Sequence, residues 1–216
     1  MKKTSILVVI LILVFFLASC DFNFINNTTQ STEGFEDKPE VNELEFTLNP
    51  DKKSYSVTGI GTCTDVDIVI PSVYNELPVT SIGGWAFVRR TAIESIVIPE
   101  SVTSIGERAF QGCSSLIDVE ISNSVTTIGG YAFVDCVSLT NINIPRFLKT
   151  IGDSAFEGCL GLANIMIPDS VTNIGCFAFA YCASLTIYCE AASQPTGWNE
   201  YWNPYNCPIV WGYKGE

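Results

Sequence analysis

Residues 79–193 hold one phrase written five times. It runs VTSIGGWAFVRRTAIESIVIPES from Val79, VTSIGERAFQGCSSLIDVEISNS from Val102 and VTTIGGYAFVDCVSLTNINIPRF from Val125. LKTIGDSAFEGCLGLANIMIPDS follows from Leu148 and VTNIGCFAFAYCASLTIYCEAAS from Val171. Each start lies 23 residues after the last, with nothing inserted between them. A fixed period of this size is the mark of a solenoid, because one unit is too small to bury its apolar face and must stack on the next. We number these units 1 to 5 and the positions within them from each start.

The constant positions carry the fold. Position 4 is Ile in every unit (Ile82, Ile105, Ile128, Ile151, Ile174) and position 5 is Gly (Gly83, Gly106, Gly129, Gly152, Gly175). Positions 8 and 9 are Ala-Phe: Ala86-Phe87, Ala109-Phe110, Ala132-Phe133, Ala155-Phe156 and Ala178-Phe179. Stacked Phe rings fill a core, and the small Ala beside each leaves room for it. The recurrent Gly marks either a corner with positive φ or a tight backbone approach. Positions 18 and 20 are an apolar i, i+2 pair, so both point to one side of a strand. One short strand per unit, stacked in parallel, predicts a ladder of six rungs. These are Ile68–Ile70, Ile96–Ile98, Val119–Ile121, Ile142–Ile144, Ile165–Ile167 and Ile187–Cys189. The Ala-Phe segment is expected to form a short helical or 3₁₀ turn on the opposite side.

The chain begins differently. Lys2 and Lys3 precede an unbroken apolar run from Ile6 to Leu17, too short to span a bilayer as a helix and suited to a signal-peptide core. The run ends in Leu17-Ala18-Ser19-Cys20, which resembles the lipobox of bacterial lipoproteins. That resemblance implies cleavage after residue 19 and a lipid on Cys20 that ties the chain to the outer side of the membrane. Residues 20–42 are rich in Asn, Thr, Ser and Glu and read as a flexible tether. Residues 43–78 read as an N-terminal cap: a β-hairpin from Leu44-Glu45-Phe46-Thr47-Leu48 and Tyr55-Ser56-Val57, then half a repeat. After the five units of 79–193, residues 194–216 hold Trp198, Trp202 and Trp211, expected to close the last coil as an aromatic cap.

The in-phase run Ile-Gly-x-x-Ala-Phe-x-x-Cys-x-x-Leu resembles the BspA-like, or Treponema-type, leucine-rich repeat of bacterial surface proteins. The resemblance covers roughly 55–216. It implies a right-handed leucine-rich-repeat coil with its parallel sheet on the concave face, and adhesion or recognition without an active site. Unit 1 departs from the pattern, with Arg89-Arg90 where Gly-Cys is usual, and unit 5 is one residue short before its strand.

Cys113, Cys136, Cys159 and Cys182 share position 12, so the repeat sets their spacing. They are expected to stack as buried, unpaired core residues, and Cys63 and Cys176 are read the same way. Cys189 and Cys207 flank the C-terminal cap, and a disulfide between them stays open.

If positions 18 and 20 face inward, positions 17 and 19 face out. The candidate ligand-binding row is therefore Ser95, Val97, Asp118, Glu120, Asn141, Asn143, Asn164 and Met166. Its expected ligand is an extracellular protein or polysaccharide. The alternative is a structural or envelope-organising surface protein with no soluble ligand. With 23 acidic and 11 basic residues the net charge is −12, which disfavours nucleic acid. The chain has no His, no G-x-S-x-G elbow and no phosphate-binding loop, so no catalytic residue, metal site or cofactor is expected.

Overall fold

The computed structural model describes residues 43–215. The proposed signal peptide, the lipid site at Cys20 and the tether lie outside the described residues. The N-terminal cap holds β1 (Glu45–Leu48), β2 (Tyr55–Gly59), β3 (Asp67–Val69) and β4 (Val73–Tyr74). The entry into unit 1 is β5 (Leu77–Ile82), and its second strand is β6 (Ser95–Ile98). Unit 2 supplies β7 (Ser104–Ile105) and β8 (Asp118–Ile121), and unit 3 supplies β9 (Thr127–Ile128) and β10 (Asn141–Ile142). Unit 4 gives β11 (Thr150–Ile151) and β12 (Asn164–Ile167), and unit 5 gives β13 (Asn173–Ile174) and β14 (Thr186–Cys189). The last strand, β15 (Ile209–Trp211), lies in the C-terminal cap.

The strands stack into a β-solenoid with two ladders. One runs β1-β2-β5-β7-β9-β11-β13, antiparallel at the β1/β2 hairpin and parallel after it. Repeat positions 3 and 4 build it, a second short strand per unit beside the one that the apolar i, i+2 pair announces. The other, from positions 17–20, forms as two in-register segments and not as one ladder of six rungs. The shortened unit 5 keeps that register: Ile165 pairs with Ile187, 22 residues on.

Two features differ from expectation. Among the described residues there is no helix; the Ala-Phe segment is a succession of turns. Its residues before Ala carry positive φ without being glycine: Trp85 (66°), Arg108 (57°), Tyr131 (57°), Ser154 (53°) and Phe177 (58°). A left-handed residue breaks a 3₁₀ or α run, and here Trp85 and Phe177 at this position stand exposed along the solenoid edge. The second difference is in the ladder. β10 stops at Ile142, and the ladder splits into β3-β6-β8-β10 and β12-β14-β15. The reason is Asn143, whose amide oxygen accepts from Ile121 N at 2.8 Å and whose nitrogen donates to Ile121 O at 2.6 Å. A side-chain amide thus takes the place of a strand bond, the local competition for which Asn is known.

The position 5 glycines resolve the open alternative in favour of close approach. None has positive φ, and a Cβ on Gly106, Gly129 or Gly152 would stand 2.4–2.7 Å from backbone of the preceding coil. The core runs through the coil as a column of Phe87, Phe110, Phe133, Phe156 and Phe179. Their neighbouring centroids lie 5.2–5.5 Å apart and their planes within 3–9° of parallel. Trp202 closes the column edge-on against Phe179 at 5.8 Å, and Trp198 lies buried beside it.

The cysteine ladder is buried and unpaired, as its spacing implies. Each thiol has a partner that the sequence did not announce. Cys113, Cys136, Cys159 and Cys182 donate to the carbonyls of Phe87, Phe110, Phe133 and Phe156, one coil back, at 3.1–3.2 Å. Cys176, Cys189 and Cys207 are free, Cys176 only half-buried where burial was expected, and Cys63 is disulfide-bonded, correcting its reading as unpaired. Burial pushes the thiols of Cys113 and Cys182 up to about 12 and those of Cys136 and Cys159 well above 9.0. Above pH 9 the unfolded chain therefore releases protons that the folded chain keeps. Stability is whole below that pH and falls as pH rises towards 12. At pH 10 each of Cys113 and Cys182 removes on the order of 1 kcal/mol, and Cys136 and Cys159 act in the same direction. Urea midpoints measured at pH 8 and pH 10 should drop accordingly, and the drop should shrink in Cys159→Ala. An unchanged midpoint would contradict the buried thiol ladder.

Candidate functional site

The strand pairing turns the predicted row outward. In β6, β8 and β12 the residues Ile96, Ile98, Val119, Ile121, Ile165 and Ile167 are buried. Between them Asp118, Glu120, Asn141, Asn143, Asn164 and Met166 are exposed, and Ser95 and Val97 are half-buried. Parallel in-register pairing aligns Ser95, Asp118 and Asn141 as one file, and Val97 and Glu120 as another. Asn141 donates to Asp118 at 2.8 Å, and Ser95 donates to Asp67 at 2.5 Å. The polar middle of the row, with Glu100 and Asn123, borders a depression of about 440 Å³. Asn164 and Met166 stand on the far side of the ladder break, and the Tyr188 ring follows them, 4.8 Å from Tyr213. The face is thus acidic and amide-rich at units 2 and 3 and more apolar at units 4 and 5. Asn143 is distinct within it, since its amide holds Ile121.

A second surface was missed in the sequence. Position 7 forms an edge where side chains of successive units lie on one another. The Arg108 guanidinium lies 4.8 Å from the centre of the Trp85 ring and 4.3 Å from that of Tyr131. Nε of Arg108 approaches Glu107 at 3.3 Å and Nη1 donates to Gln111 at 3.0 Å. Such a cation between two ring faces gains from both. Further along, Phe177 and Tyr201 stand exposed. The only available signal was Trp, Arg, Tyr, Ser and Phe at one repeat position, and a varied position reads as ordinary surface until its backbone is known.

The cap aromatics divide between two settings. Trp198 and Trp202 are buried as a lid, whereas Tyr201 and Tyr205 are exposed, Tyr205 lying 4.4 Å from Tyr181. Among the described residues no group of His, Cys, Asp and Glu is arranged to hold a metal ion.

Comparison with known proteins agrees with this geometry. The family described as BspA type leucine rich repeat region matches in six copies over residues 67–189. A leucine-rich repeat protein of T. pallidum is 34% identical, with a TM-score of 0.65, covering 67% of this chain and 68% of its own. One from Bacteroides ovatus is 35% identical, with a TM-score of 0.63 over 73% of this chain, which spans only 41% of that protein. The pneumococcal vaccine antigen PcpA is 17% identical, with a TM-score of 0.57 over 80% of this chain and 48% of its own, and shares the fold alone. A search of curated proteins finds no match.

Proposed function

The chain belongs to the BspA-type leucine-rich repeat family, and from that premise we propose that it is a lipid-anchored cell-surface module that binds an extracellular protein or polysaccharide. The observation that carries this reading is the outward row on the second ladder. An in-register sheet holds Asp118, Glu120 and Asn141 at fixed spacing with their side chains free of the core, and Asn164 continues the row beyond the ladder break. Solenoids use such extended faces for recognition because the stacked core fixes the face before any ligand arrives. The lipobox-like Leu17-Ala18-Ser19-Cys20 supports an anchor that leaves this face outside the cell. The acidic balance of the chain supports a ligand other than a polyanion.

The test is binding of the purified chain to matrix proteins, cell-wall glycans and whole cells. A triple variant, Asp118→Ala, Glu120→Ala and Asn164→Ala, spares the structural Asn143. We expect the parent to bind and the variant to lose at least tenfold in affinity with its thermal midpoint unchanged. Binding that survives in the variant would remove the site from this face. The absence of any binding, with concentration-dependent sedimentation, would leave an envelope-organising role instead.

A further inference from the structure

Unit 2 shows how this protein itself holds an arginine. Glu107 at position 6, Arg108 at position 7 and Gln111 at position 10 form the seat, and the rings of Trp85 and Tyr131 form its walls. Two coils on, unit 4 repeats the seat without the occupant. Position 6 is Asp153, position 10 is Glu157, and position 7 is Ser154, whose short side chain lies buried at the base. By repeat position the residues flanking Ser154 are Tyr131 one coil back and Phe177, which is exposed, one coil on. Arg108 already covers one face of Tyr131, and no position 7 side chain of unit 4 is long enough to cover the other.

We infer that this edge is a binding site for an arginine side chain presented by a partner protein. Beside Tyr131 a groove of about 710 Å³ opens between unit 3 and the C-terminal cap. Its polar lining includes Glu107, Asp153, Asn173 and Asn199, and no described lining residue is cationic. One oxygen of Asp153 accepts from Cys176 N at 2.8 Å, which orients the carboxylate in the groove lining. The Cys176 thiol is held above its ordinary value by burial first and then by Asp153. A guanidinium suits the site better than an ammonium, because it is planar, stacks on a ring and presents several N–H groups to two carboxylates at once. The net charge of −12 would also draw a basic segment towards it. This site lies on the solenoid edge and does not depend on the sheet-face reading.

The experiment titrates acetyl-Gly-Arg-Gly-amide into the full chain, followed by NMR, beside peptides with lysine or citrulline in place of arginine. Citrulline keeps the shape and removes the charge. The arginine peptide should bind at least tenfold more tightly than citrulline and more tightly than lysine, and weaken as salt is raised. Ser154→Arg, which fills the seat from within, should abolish binding, and Asp153→Asn should weaken it at least fivefold while still accepting from Cys176 N. Equal affinity for citrulline, or full affinity in both variants, overturns the inference. So does salt-independent binding that a neutral hexose displaces, which would make the groove a sugar site. No binding up to millimolar peptide also overturns it.

Discussion

Phe133→Ala is expected to cost about 3–5 kcal/mol of stability, the range for removing a large aromatic side chain from a packed core. Phe133 is fully buried and stands at the centre of the Phe column, 5.2 Å from Phe110 and 5.4 Å from Phe156. Removing it opens a void bounded by the two neighbouring rings, which the rigid spacing of the coils prevents from closing. The position matters because a solenoid coil touches only its neighbours. A break at unit 3 separates two halves, neither of which retains a long stack. Phe87 has a ring neighbour in the column on one side only, so Phe87→Ala should cost less. Urea denaturation of both variants checks the order. Equal costs, or a Phe133→Ala cost below about 1 kcal/mol, would mean that the column does not couple the units.

Gly152→Ala adds one methyl group and is expected to destabilise by about 3 kcal/mol, the upper end for overpacking. The new Cβ would lie 2.4 Å from Gly130 N and 2.6 Å from Gly129 C. These are backbone atoms of the preceding coil, so no side chain can swing away and the coils themselves must part. The control sits one coil back. A Cβ at Gly130 meets nothing nearer than Asp153 O at 3.4 Å, an ordinary contact. Because its φ is not positive, Gly130→Ala should be neutral or stabilise by about 0.4–1 kcal/mol through the unfolded state. The thermal midpoint should therefore fall in Gly152→Ala and hold or rise in Gly130→Ala. A fall of similar size in both would show that glycine is needed there for flexibility and not for space.

The cap shows where periodicity stops being readable. After Glu190 the 23-residue phrase is lost, yet another coil is present. Trp202 takes the place of Phe in the core column, and β15 pairs with β14 as a further rung. Cys207 continues the thiol file towards Phe179 O and Cys182 O at 3.9 and 3.5 Å. Trp202 and Cys207 are five residues apart where Phe179 and Cys182 are three. Two extra residues and a change from Phe to Trp hide the homology from any fixed-period reading. They leave the packing role intact, because the space to be filled is set by unit 5. The position 7 edge failed to register for a related reason. Positive φ at Trp85, Tyr131 and Phe177 runs against what such residues prefer, so composition gives no hint of it. The arginine between two rings exists only because the coils bring residues 23 apart into contact.

By itself the sequence determined the solenoid, its Phe column, the unpaired position 12 thiols and the outward row. All of these follow from one fact: identical residues at a fixed period must occupy identical places in a stack, and only apolar, close-fitting ones can recur inside it. The tertiary structure alone decided where the ladder breaks at Asn143, which carbonyl each thiol meets and that the glycines make room for backbone. It also decided how Glu107, Arg108, Tyr131 and Asp153 assemble along one edge. Those outcomes depend on contacts between coils at positions where the repeat varies, and a varying position carries no signal until its neighbour in the next coil is known.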